Sequence, residues 1–436
     1  MDASFKTVDW IKDKTIYEVN LRQYTEAGSF KAFESHIPRL KEMGVEVLWF
    51  MPVTPISEKG RKGSLGSYYA CSSYTKLNAE FGTEQDFLSL IQLAHKHEMK
   101  VMIDWVANHT GRQHEWMDEH PNWFSQDADG NFKERNGWED VVDLNFENQD
   151  MRAALIGAMQ YWVRTFNIDG FRADMADLVP LDFWMAARKA CETIKPLFWL
   201  AECEDIAYHS VFDASYAWSW MHAITKLVNE QSGVNEIYNI LHDYAQYPLG
   251  AYKLFFTSNH DENTWNGTEY EKYGIAAKAW AVFTFMWKGI PLIYSGQELP
   301  NHKRLAFFDK DKIEWTSQPL LGTFYKTLIE LRKNYACIIK GDSFNLPTSN
   351  NQVMAFLRYD HAPEKKSVKE SVKESEKQII LVLLNFSHQV QKVQLEHDFL
   401  KGQFLNAFSG LSYTLNKQES FELMPGDYLV YVKGKS

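Results

Sequence analysis

Lys100-Val101-Met102-Ile103-Asp104-Trp105-Val106-Ala107-Asn108-His109 is an apolar run that turns polar at its C-terminal end. Before it, Phe87, Leu90, Ile91 and Ala94 fall at helical spacing, and after a long connection Leu155, Met159, Trp162 and Val163 repeat that pattern. A continuously apolar strand between two amphipathic helices reads as one unit of a parallel sheet covered on both faces. Working outward, the same unit recurs at Ile16–Leu21, Val45–Val53, Ile168–Ala173, Leu197–Cys203, Leu254–Thr257 and Pro291–Tyr294, with a weaker copy near Val211–Tyr216. Phe30, Phe33, Ile37, Leu40 and Met43 make a further helical stripe, stopped by Gly44. Eight strands alternating with helices over about 330 residues predict an α/β fold, a (β/α)8 TIM barrel rather than an open doubly wound sheet. No G-x-G-x-x-G follows the first strand, which removes a dinucleotide site.

The barrel is expected at 1–105 and 146–340, split by a short insertion at 106–145 that is rich in Trp, Asn, Asp and Gly. An insertion of about 40 residues inside a compact barrel is usually functional. From Gly341 to Ser436 the rhythm changes to short alternating strands: Val353–Tyr359, Ile379–Phe386, Val390–Leu395, Gly402–Ala407 and Tyr428–Lys433. These predict a C-terminal all-β sandwich that packs on the barrel. The repeated Ser-Val-Lys-Glu unit inside it buries almost nothing and predicts a mobile charged loop at 363–377.

The 436 residues carry 46 Lys and Arg against 57 Asp and Glu, a net charge of −11 with no basic block, so nucleic acid is excluded as a partner. No apolar run approaches the roughly 20 residues of a membrane span. The N-terminus has an early acid and no apolar h-region, which favours a cytoplasmic protein, or a periplasmic or secreted one if a leader has been removed. Cys71, Cys191, Cys203 and Cys337 are scattered and predict free thiols rather than a disulfide framework or a zinc site. Nothing specifies an oligomeric state. The aromatic content, 15% with 15 Trp, exceeds what a core calls for and suits the flat C–H faces of sugars.

Carboxylates and histidines gather where the barrel strands end. The third strand ends on Asp104 and runs on to Asn108 and His109, the fourth ends with Arg172 and Asp174, the fifth with Glu202, and the seventh with Asn259-His260-Asp261. Barrel enzymes build their sites at this face. A single Asp after a strand is more often a turn former, but four clusters directed into one mouth crowd like charges together, a cost that function explains.

These segments resemble glycoside hydrolase family 13, the α-amylase family, over essentially the whole chain. Asp104 through His109 is similar to the family's D-x-x-x-N-H, Gly170 through Asp174 to its G-x-R-x-D, and Asn259-His260-Asp261 to its fourth region; Glu202 follows an apolar strand as in the third. Supporting segments lie at Gly44–Pro52, Val142–Asn145 and Gly289–Glu298. The resemblance implies Asp174 as a nucleophile, Glu202 as acid and then base, and Asp261 as the group that holds the distorted sugar. Arg172 would keep Asp174 ionised, Asp104 would orient Arg172, and His109 and His260 would donate to the same sugar. Tyr69, beside Tyr68, resembles the stacking tyrosine. Trp116, Trp123 and Trp138 are candidate walls, and most of the remaining Trp are assigned to the core.

The family pattern carries a Lys-His pair three and four residues after the nucleophile; Asp177 and Leu178 stand there instead. Asn108 keeps one expected calcium ligand, so a structural calcium stays open, with no cofactor required for the chemistry. Asp127-Ala128-Asp129-Gly130-Asn131 reads as a turn, because it lacks the distal Glu of a calcium loop. The implied function is retaining hydrolysis of α-1,4 bonds in starch, glycogen or maltooligosaccharides. The alternatives are transglycosylation, α-1,6 action and, least favoured, a non-catalytic binding subunit.

Overall fold

The computed structural model describes residues 5–229, 232–360 and 377–434. Eight parallel strands close into a barrel: β1 (Ile16–Val19), β2 (Val47–Phe50), β3 (Lys100–Trp105), β4 (Gly170–Ala173), β5 (Phe198–Ala201), β6 (Ala214–Tyr216), β7 (Tyr252–Phe255) and β8 (Ile290–Tyr294). Each strand pairs with its sequence neighbour, and β8 closes on β1. All eight expected strand segments, including the weak one, supply a barrel strand.

Helix ends follow local chemistry. Asn148 caps Gln149–Phe166 by accepting from the amides of Asp150 and Met151 at 3.0 Å each. The helix Glu84–Lys96 starts from a Thr83–Asp86 capping box. Gly44, at φ 105°, stops the helix Ile37–Met43. The stripe from Phe30 to Met43 is two helices, Phe30–Glu34 and Ile37–Met43. Pro38 has no amide to donate to the Glu34 carbonyl, so one helix cannot continue through. Gly170 is required by close packing: a Cβ there would lie 2.4 Å from the Phe198 carbonyl oxygen on β5.

Register places the site. Asp104 on β3 lies opposite Arg172 on β4, one strand over from Leu200 on β5. Between β3 and the helix Gln149–Phe166, a short hairpin pairs His109–Gly111 with Val141–Asp143.

The C-terminal part has a six-stranded sheet, in order β9 (Asp342–Asn345), β10 (Val353–Tyr359), β11 (Ile379–Asn385), β16 (Tyr428–Lys433), β13 (Gly402–Asn406) and β14 (Ser412–Leu415). Facing it is a pair, β12 (Gln391–Glu396) and β15 (Gln418–Leu423). Val353, Ala355 and Leu357 turn toward the pair, while Met354 and Phe356 join the barrel core. Trp280 stacks on Phe386 at 3.6 Å between ring centres, fastening the sheet to the barrel. The strands β9, β14 and β15 are additions to the sequence reading. β9 is an exposed edge with no apolar alternation to mark it, and β14 is a mostly exposed edge of only four residues. The charged loop expected at 363–377 lies, but for Lys377, outside the described residues. All four cysteines are buried, free thiols.

Candidate active site

The mouth of the barrel is organised by one cation. Arg172 is fully buried, and its Nη1 donates to Asp104 Oδ1 and Asp174 Oδ1, both at 2.9 Å. Its Nη2 forms an ion pair with Glu202 Oε1 at 2.7 Å, and its Nε donates to the Tyr216 hydroxyl at 3.1 Å. Three carboxylates from three strands thus share a single guanidinium, and the register of β3, β4 and β5 brings them there.

A second cation stands beside it. His260 Nδ1 lies 2.5 Å from Glu18 Oε1 on β1, and its Nε2 lies 2.7 Å from the Tyr69 hydroxyl and 3.3 Å from Asp261 Oδ2. Burial opposes a charged ring, but the Asp261 and Glu18 carboxylates outweigh it and hold His260 protonated, its pKa well above the ordinary value. The Tyr69 hydroxyl also donates to Asp104 Oδ2 at 3.1 Å, which links the two cations. Five carboxylates therefore surround two positive groups.

Their titration separates accordingly. Burial pushes Glu202 up to about 8, with Asp174 and Asp261 adding to the rise against the pull of Arg172. Burial also raises Asp174 and Asp104 to about 6, so the Arg172 hydrogen bond limits the rise of Asp174 rather than reversing it. Asp261, about 38% exposed, goes the other way: burial costs it, but the His260 imidazolium lowers its pKa. His109 is driven down to about 4 by burial, so its ring is neutral.

The backbone contributes strain at one point. Met175, directly after Asp174, is left-handed at φ 40°, ψ 52°, a conformation that costs a non-glycine residue of order 1 kcal/mol. The turn aims its amide at Glu202 Oε2, at 2.9 Å.

Asp174, Met175, Glu202 and Asp261 line a cavity of about 460 Å³ with Tyr69, His109, Trp138, Asp140, Lys62, Trp265, Phe307 and Phe308 on its walls, while Arg172, Asp104 and His260 lie behind them. Tyr69 is the tyrosine that faces it; Tyr68 turns away beneath Arg22 and donates to Asn20. Of the candidate Trp walls only Trp138 lines the cavity, while Trp116 and Trp123 pack on one another at 5.0 Å. Trp265, which no motif singles out, is 51% exposed and its Nε1 donates to Asp261 Oδ1 at 3.2 Å. It projects from a π-helical turn, Glu262–Asn266, that starts directly after Asp261. Glu18 was also missed, although a carboxylate inside the apolar run Ile16–Val19 is itself a signal.

Asn108 is buried with its Oδ1 accepting from Arg135 Nη2 at 3.2 Å. The Asp127 carboxylate is taken up by the amides of Asp129 and Asn131, as in a self-closed turn. Among the described residues no three His, Cys, Asp or Glu side chains converge as a metal site would need.

The alpha amylase catalytic-domain model matches residues 7–133 and 119–318. The fold matches a noncanonic maltogenic alpha-amylase from Thermotoga neapolitana at a TM-score of 0.86 and 27% identity, covering 98% of this chain and 100% of that one. An alpha-amylase from Lactobacillus plantarum matches at 0.85 and 27%, covering 97% and 99%. Alpha-amylase MalA of Haloarcula japonica is 26% identical over 74% of this chain, which spans only 49% of that longer protein. Because the catalytic-domain match runs through every strand end that carries the carboxylate and histidine motifs, the chain belongs to the alpha-amylase family.

Proposed function

We propose that the chain is a retaining α-glucan hydrolase acting on α-1,4-glucosidic bonds of starch, glycogen or maltooligosaccharides. One observation carries this reading: Asp174 and Glu202 sit on the same guanidinium with their proton affinities pushed apart. Double displacement needs one carboxylate ionised and one carboxyl protonated at about 5–5.5 Å separation, and a shared guanidinium keeps the pair close.

In this reading Glu202 protonates the departing glycosidic oxygen while Asp174 attacks the anomeric carbon and forms a covalent glycosyl intermediate. Glu202, now ionised, takes a proton from water as it attacks the same carbon, and Asp174 leaves. Asp261, kept ionised by His260, binds ring hydroxyls and favours the positively charged transition state. Tyr69 offers its face to the reacting sugar, Asp104 orients Arg172, and His109 and His260 donate to sugar oxygens. The steps move only protons and carboxylates, so no cofactor takes part. No helix among the described residues is long and apolar enough to cross a membrane.

Relatives bear names that divide on linkage, among them a cyclomaltodextrinase of Bacillus sp and a probable oligo-1,6-glucosidase of Bacillus subtilis. A transfer reading has one specific support: Met175, Trp265, Phe307 and Phe308 give the cavity an apolar wall that favours a sugar acceptor over water. Product analysis on maltoheptaose, pullulan and panose decides. Shorter maltooligosaccharides alone support hydrolysis of α-1,4 bonds; products longer than maltoheptaose sink pure hydrolysis, and release of maltose rather than isomaltose from panose moves the linkage to α-1,6.

Trp265→Ala is expected to raise KM for maltoheptaose roughly tenfold, about 1.4 kcal/mol of lost contact. It should leave the thermal midpoint nearly unchanged, because the ring is half exposed. Steady-state kinetics and a melting curve check both parts, and an unchanged KM removes Trp265 from the substrate wall.

A further inference from the structure

Arg135 belongs to the insertion, and its guanidinium stands between the end of β3 and the hairpin. Its side chain is 55% exposed, yet its inner edge rests on two buried acceptors. Nη2 donates to Asn108 Oδ1 at 3.2 Å, and Nε pairs with Asp143 Oδ2 at 3.0 Å. A guanidinium can only donate. The Asn108 oxygen must therefore face Arg135, which turns the amide nitrogen the other way, 3.1 Å from His109 Nδ1. That nitrogen donates, so His109 Nδ1 accepts and carries no proton. The proton of the ring is left on Nε2, on a side chain that lines the cavity.

We propose that Arg135 is a positioning residue that, through Asn108, fixes His109 as its Nε2–H tautomer and stands in for the structural calcium implied at Asn108 by the family resemblance. The residues do not fit a calcium there. A divalent cation bound to Asn108 Oδ1 would lie beside a positive guanidinium. Even with Asp143 Oδ1, a buried oxygen of the same pair that has no hydrogen-bond partner, the site stays far short of the six to eight ligands calcium takes. The guanidinium meets the same demand with its own charge, joining the strand end to the hairpin.

The tautomer rests on geometry alone; its effect on turnover rests on the proposed contact of His109 with the sugar. The test uses the full chain labelled with 15N-histidine, in which nitrogen shifts distinguish the two tautomers; His109→Gln identifies the signal. Wild type should show His109 protonated at Nε2, unchanged by a chelator that also leaves Tm in place. Asn108→Asp keeps the pair with Arg135 but cannot donate to Nδ1, so the proton should move to Nδ1. Its kcat/KM should fall on the order of tenfold with Tm near wild type. Arg135→Met should loosen the tautomer and lower Tm, with Arg135→Lys recovering part of both. The proposal is overturned by a wild-type His109 protonated at Nδ1. It is equally overturned by an Arg135→Met protein with an unchanged tautomer, or by a chelator that lowers wild-type Tm by several degrees with added calcium restoring it. If Asn108→Asp shifts the tautomer but leaves kcat/KM untouched, the positioning inference stands and the contact of His109 with the sugar fails.

Discussion

Glu202→Gln is expected to cut kcat on maltooligosaccharides by about 10³-fold while raising the thermal midpoint. The residue ends β5 among Asp174, Asp261 and Arg172, and burial with its acidic neighbours lifts its pKa to about 8. At neutral pH most of it is protonated, as a proton donor must be. Gln fills the same volume and still accepts from the Met175 amide, but has no proton to give. Wild-type kcat/KM should therefore fall above about pH 8 as Glu202 ionises, and fall below about pH 6 as Asp174 and Asp104 together take up a proton. On an aryl α-glucoside whose leaving group needs no proton, the basic limb should vanish from the variant and its first step should stay fast. The stability effect has a definite sign. The folded carboxyl binds its proton more tightly than the unfolded one, whose pKa is near the ordinary 4.5. Between about pH 4.5 and 8 the unfolded chain thus holds fewer protons, and wild-type stability declines as pH rises through that window. The gain from Gln should be absent at pH 4 and largest near pH 8. Kinetics and melting curves across that range check it, and unchanged turnover on maltooligosaccharides would falsify the assignment of Glu202.

The same neighbourhood explains why some of the site can be read from sequence and some cannot. Asp104, Arg172, Asp174 and Glu202 sit at or directly past strand ends, and a barrel strand places its own last residues with no help from distant chain; His260 and Asp261 follow β7 by a short turn. Their convergence follows once the alternation of strands and helices is recognised. Trp265, Phe307, Phe308 and Lys62 reach the cavity from loops and a π-helical turn, and their positions depend on what those segments pack against. Arg135 is the extreme case, a charged residue in a polar insertion whose role exists only because the hairpin brings Asp143 opposite His109. The fold divides along the same line. Both-face burial makes β2, β5 and β8 continuous apolar runs, whereas β9 is exposed along its length and leaves no pattern. The helix break before Ile37 was legible in Pro38, but the apolar spacing from Phe30 to Met43 masks it.

Asp174→Ala is expected to lower kcat by on the order of 10⁴-fold or more, the scale on which removing a covalent nucleophile acts, and to do so without unfolding the protein. Asp174 is one of five carboxylates facing Arg172 and His260, and burial already raises its pKa. Deleting it relieves like charge more than it strips a partner from Arg172, which keeps Asp104 and Glu202. A melting curve that stays at or above wild type separates lost chemistry from lost structure. The vacated space beside Arg172 should admit a small anion. With α-glucosyl fluoride as substrate, azide should attack the anomeric carbon from the face Asp174 occupied, forming the C–N bond as fluoride leaves and releasing the β-glucosyl azide. In Glu202→Ala the intact Asp174 still forms the glycosyl intermediate, so azide must arrive from the opposite face and the product should be the α-glucosyl azide. The two variants thus read the two carboxylates as opposite stereochemical outcomes of one reaction. Identical anomers from both variants, or undiminished turnover by Asp174→Ala, would show that Asp174 is not the group that bonds to the sugar.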